Sequence, residues 1–520
     1  MSDLRQLLDL KTVMTLILGI GVLSASVIRG DELISVGLQK QLLVDDYVIA
    51  EKHNVTRVLG RVEKIGMVME PSLPTDCHPT MPFPKDSPDT CYFEFARRLS
   101  VVWNEYDQKF QMLYRACGES YTGYAESTDG IHWSKPAISE DGNSNLITYR
   151  GKTSGTFYEA AFTIDPTLPW GHPEKYKAAF NPGNVMCAIA HSADGIHWQG
   201  YNHGQSVTGR AADTFNQILW DPIGSRYMLL TRTDIGSTGG LTEDRASRVM
   251  AHTGGNDLNA HPAAWETLVD LEVDDPENEK TPAGVAAIQM ESMTIWPYEN
   301  IYFGLMHILT LGELTGAEGK IPVADPDARP EKDVIDFYIG TSRDGANFDK
   351  SWIFARNPLI ERGPDGSFDK AMIQPASEII TRGDEHWIYY TGAYSQHHSP
   401  EAASKPSMVG LAKMRLDGFI CLEAKAETGT IITKPFQLLA NRLEVNVDAK
   451  DGWIKVELLD ASGKEIADFS GNNAKIHHGV DELRLTPTWN SPDGLSQLKG
   501  KTIKLRFTLQ NARLYAFGLN

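Results

Sequence analysis

Cysteine is scarce in this chain of 520 residues, and the five present, Cys77, Cys91, Cys117, Cys187 and Cys421, fall into no C-x-x-C or Cys/His spacing. That excludes a disulfide scaffold and a finger-type zinc module. Cys77 and Cys91 lie near enough in sequence to close one loop in an oxidising compartment, whereas buried free thiols are expected for most of the five. Basic charge is also short, with 49 Lys and Arg against 68 Asp and Glu, a formal charge of -19, and no basic stripe. Phosphate backbones and anionic lipids are gripped by clustered cations, so neither nucleic acid nor a membrane surface is expected as a partner. Long apolar runs are missing too. The longest, Val13 to Ala25, follows Arg5 and Lys11 and gives way to small and then polar residues. It is short for a membrane span and reads as an export signal or N-terminal anchor over residues 1–30, which implies a secreted or periplasmic protein.

What the chain does have is repetition. STDGIHW (Ser127 to Trp133) and SADGIHW (Ser192 to Trp198) are near copies 65 residues apart, and SRDGANF (Ser342 to Phe348) is a third. Weaker copies fall at Arg248 to Asp257 and Ala412 to Phe419. Each follows a strand pattern, and Asp-Gly tolerates the positive φ of a tight turn, so these aspartates are expected to be structural. A second motif, two apolar strands around a polar turn, recurs in phase from Leu99, Ala161, Asn216, Met293 and Ser377. Five phased hairpins, each followed by a turn-bearing strand, predict an all-β fold with a five-bladed β-propeller over 31–428. From 429 to 520 the pattern changes to alternating strands such as LEVNV, WIKVELLD and TIKLRFTL. These predict a C-terminal β-sandwich, expected to be a packing or stabilising appendage.

In a propeller the innermost strands converge on the central channel, so the start of each such strand is the informative position. Those positions read Glu94, Glu159, Asp213, Glu291 and Gln374. Acids beside strands this apolar are costly to bury without partners and are expected to face a polar cavity. Carboxylates gathered in one pocket suit glycosidic bond cleavage, where one acid protonates the leaving group while another attacks or activates water.

With its signal-like leader, phased turns, propeller pattern and terminal sandwich, the chain resembles the glycoside hydrolases of families 32, 43 and 68. It resembles most nearly secreted bacterial family-32-like proteins that share LLVDDYVI near the start and LRFTLQNARLYAFGL at the end. The resemblance implies a catalytic trio of an acid on the first blade, an Asp one or two blades on and a Glu beyond it, an order matched by Glu94, Asp213 and Glu291. It also offers a structural calcium ion, by analogy alone; no cofactor is expected. The family-32 signatures WMNDPNG, Arg-Asp-Pro and Glu-Cys are not found, so fructan hydrolysis is not implied.

The expected roles are Glu94 as nucleophile or general base, Glu291 as general acid and Asp213 as the orienting carboxylate. Arg97, Tyr158, Glu159, Arg232, His307, Asp369 and Gln374 are candidate substrate-binding residues, Glu159 and Asp369 doubling as reserve acids. The competing reading of each acid is a partnership with Arg97, Arg115 or Arg232 in an ion network without chemistry. Trp103, Trp170 and Trp296 are expected in the core, and Asp45 and Asp46 in the strand that closes the ring. His397 and His398 are expected in a solvated loop. The carbohydrate, its linkage and the oligomeric state are not legible. A noncatalytic glycan-binding propeller and a phosphorylase with a cationic pocket stay open beside the exported hydrolase.

Overall fold

The computed structural model describes residues 33–76, 95–116, 121–150, 157–183, 185–209, 211, 215–234, 244–278, 280, 285–311, 333–396 and 406–520. The described chain is nearly all β, with one α-helix, the short Ser351–Phe354. No helix among the described residues is long and apolar enough to cross a membrane. Glu94, Asp213, Cys77, Cys91, Cys117, His397, His398 and the leader lie outside the described residues.

The hairpins expected from the second motif are all present. A first sheet orders Ser100–Asn104, Lys109–Ala116 and Tyr121–Ser127, and a second runs Tyr158–Ile164, Tyr176–Asn181, Ala188–Ser192, His197–Gly200 and Thr148–Arg150. The third is Gln217–Asp221, Arg226–Asp234, Arg245–His252 and Trp265–Leu271. An eight-stranded path follows, in which Ile288–Tyr298, Ile301–Thr310 and Val334–Ser342 form a fourth array. A fifth contains Met372–Pro375, Glu385–Ala393, Met408–Arg415 and Glu63–Met69. Among the described residues, the ladder between these two arrays is the parallel pair Ile335 and Met372. The outermost strand of the fifth array comes from near the opposite terminus, so the far ends of this part of the chain are tied by one ladder.

The first strands of the five arrays meet. Ser100 Oγ accepts from the Phe162 amide and shares a hydrogen bond with Ser377 Oγ, while Ala160 bridges Asn216. Gln217 donates through Nε2 to the Ile295 and Ser377 carbonyls and accepts from the Ile295 amide. All five positions are buried or flanked by buried strand residues, and water offers no alternative partner at such sites. This layer fixes a common axis and gives each first strand a reference residue.

The turn aspartates are structural. Asp129 Oδ1 accepts from the amides of Ile131 and His132 and from Ser127 Oγ, and Asp194 and Asp344 repeat the arrangement. Gly130 has φ +75°, and a Cβ there would strike Tyr389 and Trp387, so glycine is needed twice over. The aromatics that trail these turns pack inward: Trp198 and Phe348 are buried and Trp133 is half-buried against Phe110 and Tyr389.

The C-terminal part, for which a sandwich is expected over 429–520, shares its sheet with strands from before residue 60. One curled ten-stranded sheet runs Ile49–His53, Gly429–Thr433, Thr502–Gln510, Leu443–Asp460, Ala512–Leu519, Ile420–Ala424 and Thr56–Leu59, with three more strands pairing along it. Its two edges are neighbours in sequence near the N-terminus, and the 428/429 boundary falls inside it. Alternation reveals which face of a strand is buried but not which strand lies beside it, and that is why the N-terminal contribution was not legible. Asp45 and Asp46 sit with this sheet, not in the closing strand: Asp45 binds Arg343, and Asp46 binds Lys52 and Arg57.

Candidate active site

Counting back from the axial layer locates the acids. Glu159 is three residues before Phe162 and Glu291 four before Ile295, so both sit at the same end of the axis. Each lies at a register break. In the second sheet the pairing shifts between Ala179 and Asn181, opposite Glu159; in the fourth it shifts between Met290 and Ser292, leaving Glu291 as the extra residue. A bulge re-aims a side chain that regular alternation would send into the sheet interface. Glu159 also has φ +54°, left-handed backbone that a non-glycine residue adopts at a cost of about 1 to 3 kcal/mol.

Arginines collect these two carboxylates. Arg98 approaches Glu159 Oε1 through Nε at 3.7 Å and donates through Nη2 to Glu291 Oε1 at 3.2 Å. One guanidinium thus touches both acids, keeping them within the about 9.5 Å spanned by the wider-spaced glycosidase pairs. Arg115 adds a contact to Glu159 at 3.4 Å, Arg232 one to Glu291 at 3.5 Å, and Arg245 one to Glu291 Oε2 at 2.9 Å. Arg245 also donates to Gln289, which places its fork across the bulge. Arg98 itself has φ +58° and follows Ala96 at φ +54°, so the short segment before the first strand is strained as well. Glu159 and Glu291 are 3% and 4% exposed and Arg232 2%. Guanidinium forks suit such burial because they are weakly hydrated and match carboxylate geometry.

His307 lies on the strand beside Glu291, its Cα paired with Ser292. It is fully buried, and neither ring nitrogen has a hydrogen-bond partner. Burial, with a smaller contribution from the Arg98 charge, pushes its pKa down to about 3 despite Glu291, so the ring is neutral at physiological pH. Gln374 is buried on the fifth array's first strand, three residues before Ser377, with Nε2 unbonded.

The other expected residues are placed as follows. Arg97 is buried in the strained segment, three residues before Ser100, so it occupies the position in the first sheet that Glu159 occupies in the second; Glu94 is three residues further upstream. Tyr158 opens the second sheet, and its side chain lies outside the described residues. Asp369 is engaged elsewhere, accepting from Lys64 at 2.8 Å and from Tyr390. Trp296 is buried as expected and Trp103 is half-buried, but Trp170 is exposed and stacks on exposed Tyr106. Arg98 and Arg245 were not singled out from the sequence; the Arg97-Arg98 doublet was the available signal, and the alternating rule fails there because Ala96 and Arg98 are left-handed. Past the axial layer, Glu378 bonds Thr163, and burial, the larger influence, raises its pKa to about 7. Cys187 and Cys421 are buried free thiols.

No family model matches the chain, and no curated protein matches it. Among solved structures it is similar to an N-acetylgalactosamine deacetylase from F. plautii in complex with blood group B trisaccharide. That likeness has 15% identity and a TM-score of 0.40, covering 70% of this chain and 97% of the other. It is also similar to the catalytic domain of the Coprinopsis cinerea GH62 α-L-arabinofuranosidase, at 10% identity and a TM-score of 0.40, covering 69% and 98%. A thermostable family-43 glycoside hydrolase gives 11% identity and a TM-score of 0.38, covering 64% and 93%. The resemblance seen in the sequence thus recurs among structural neighbours. With TM-scores below one half, the chemistry here is read from this chain's own side chains.

Proposed function

We propose that this protein is an exported glycan-acting enzyme that cleaves a glycosidic bond where the first strands of a five-bladed propeller meet, with the C-terminal sheet as a stabilising appendage. The observation that carries the reading is the pair Glu159 and Glu291, both turned at register breaks toward one end of the axis and both touched by Arg98. Left-handed backbone at Ala96, Arg98 and Glu159, three of the thirteen non-glycine residues with positive φ among the described residues, falls at this pair and fits a site held in one geometry.

The arginines revise the roles expected from sequence. A carboxylate surrounded by three guanidinium groups is favoured as an anion, so Glu291 suits the base or nucleophile and not the proton donor. In this reading Glu291 attacks the anomeric carbon or takes a proton from the attacking water. The bond to the leaving oxygen breaks with its electron pair, and that oxygen takes a proton from a second acid. Glu94 and Asp213 are the candidates for the second acid. Glu159, shared between Arg98 and Arg115, orients the pair.

The test is reducing-sugar release from a broad panel of poly- and oligosaccharides by the wild type and by Glu291→Gln, Glu159→Gln and Glu94→Gln variants. Loss of release by about 100-fold or more in Glu291→Gln, the order contributed by a positioned acid or base, supports the reading. Release undiminished in that variant overturns it. A second reading, a noncatalytic glycan-binding protein, is favoured by the same arginine pairing of both acids. It predicts glycan binding by the wild type with no product from any member of the panel.

A further inference from the structure

A cleft lies outside the acid pair, on the fourth array. Where the second and third sheets carry a fourth strand, this array has, among the described residues, two isolated bridges: Thr341 with Asp349 and Phe337 with Ile360. Between them the chain leaves the ladder, turns through the helix Ser351–Phe354 and returns past Pro358. Successive strand residues point to opposite faces, so Asp336 and Tyr338 share one face, beside Ile308, the cross-strand partner of Asp336. Over that face the detour leaves a cleft of about 340 Å³, at the small end of the about 300 to 1,000 Å³ typical of ligand sites. Ile288, on its wall, precedes Glu291 by three residues, about 10 Å of strand.

The lining joins an apolar wall to hydrogen-bonding groups that are only partly used. Ile288, Ile308 and Tyr338 are buried there. Arg362 Nε donates to Asp336 Oδ1 at 2.9 Å, and among the described residues nothing else hydrogen-bonds that carboxylate or the Tyr338 hydroxyl. Asp336 keeps 14% of its side chain exposed, so the cleft reaches it. Burial raises the Asp336 carboxyl despite the Arg362 charge, the mark of an acceptor short of solvation, and it pushes the Tyr338 phenol up, so that hydroxyl stays a donor. The guanidinium groups at the rim are already matched, Arg362 by Asp336 and Arg356 by Asp275 at 2.8 Å, and Glu361 adds an exposed carboxylate. An anion would have to break one of those pairs, whereas a neutral ligand leaves them in place.

We infer that this cleft is a second glycan subsite that holds one neutral sugar unit, its apolar face on Ile288 and Ile308, with Asp336 accepting from a hydroxyl and Tyr338 donating to a neighbouring sugar oxygen. The inference rests on the reading of the protein as a glycan-acting enzyme and deepens it, since the cleft opens at the same end of the fourth array as Glu291. A sugar unit presents both surfaces that the lining asks for, C–H groups on its faces and hydroxyls at its edge. A purely apolar ligand would strand the carboxylate and the phenol without bonds. Contacts this far from the bond that breaks are equal in the ground and transition states, so they select longer substrates without speeding the chemical step.

The experiment is saturation-transfer NMR on the full chain, titrated with the methyl glycosides of glucose, galactose, mannose, xylose and arabinose, and with sodium glucuronate as the anionic control. It is run on the wild type and on Tyr338→Phe, Asp336→Asn and Glu291→Gln. Saturable binding of at least one glycoside, weakened about threefold or more by Tyr338→Phe and by Asp336→Asn, the order of one lost hydrogen bond, and retained in Glu291→Gln, supports the inference. No saturable binding of any glycoside overturns it, and so does binding that both cleft variants retain or that Glu291→Gln abolishes. Preference for glucuronate over every glycoside overturns it as well. Where Asp336→Asn fails to fold, Tyr338→Phe and the rim variant Glu361→Gln decide. Because binding is read without turnover, the two readings fail separately. Reducing-sugar release with no glycoside bound in the cleft removes this inference and leaves the enzyme, whereas binding in the cleft without release from any glycan keeps the subsite and removes the enzyme.

Discussion

The acids of the rim and the acids of the axis solve the same physical problem by opposite means. Asp129 and Asp194 find their partners within three residues, in a serine hydroxyl, two backbone amides and a histidine, and they stay near solvent. Glu291 finds its partners 46 to 193 residues away, in Arg245, Arg232 and Arg98, and is buried. A local solution costs little and can be repeated in every sheet. The axial solution needs several arrays to be in place at once, and it is strained. Rim acids therefore report on how each sheet turns, and axial acids on what the assembled sheets can do.

The largest effect expected from that contrast is on stability. Glu291→Leu leaves three guanidinium groups around an apolar side chain and should destabilise the fold by about 3 to 5 kcal/mol, read as a fall in urea midpoint. Asp129→Leu should cost far less. The axial layer comes next. Gln217→Leu strips hydrogen bonds from the Ile295 amide and the carbonyls of Ile295 and Ser377, and should cost about 2 to 3 kcal/mol in the same assay. A cost below 1 kcal/mol would mean that the five first strands do not depend on that layer.

Glu378 sharpens the contrast through pH. Burial raises its carboxyl from 4.5 to about 7 against the opposing bond from Thr163. The folded chain therefore holds more protons than the unfolded chain between those values, and stability falls as pH rises through that window. The residue keeps some accessible surface, so the fall should be about 1 to 3 kcal/mol, and Glu378→Gln should flatten it. An unchanged slope in the variant would count against the raised carboxyl. At the small end, Asp129→Ala should cost about 0.5 to 1 kcal/mol, because its bonds are local and half-exposed.

How much of this was legible beforehand follows from the same contrast. The turns announce themselves, since Ser, Asp and Gly at fixed offsets carry their own hydrogen-bonding logic, and the hairpins between them obey a period of two. Glu159 and Glu291 were visible as acids at the heads of first strands. Of their arginine partners, Arg115 and Arg232 were named from the sequence as competing ion partners; Arg98 and Arg245 were not, because the bulges at Glu159 and Glu291 break the alternation that would have told which way the acids point. The assignment of Glu291 as proton donor came from family order, and the guanidinium groups around it argue for the anion. Likewise no strand pattern reveals that Ile49–His53 and Thr56–Leu59 edge a sheet built mainly from residues after 420.

The central claim is that the axial carboxylates perform chemistry while the rim aspartates only shape turns. It is tested most directly by kcat on one hydrolysed glycan for Glu291→Gln beside Asp129→Asn, each checked for a native urea midpoint. The account predicts a fall of about 100- to 10,000-fold in the first and less than twofold in the second. Equal rates in the two variants would contradict it.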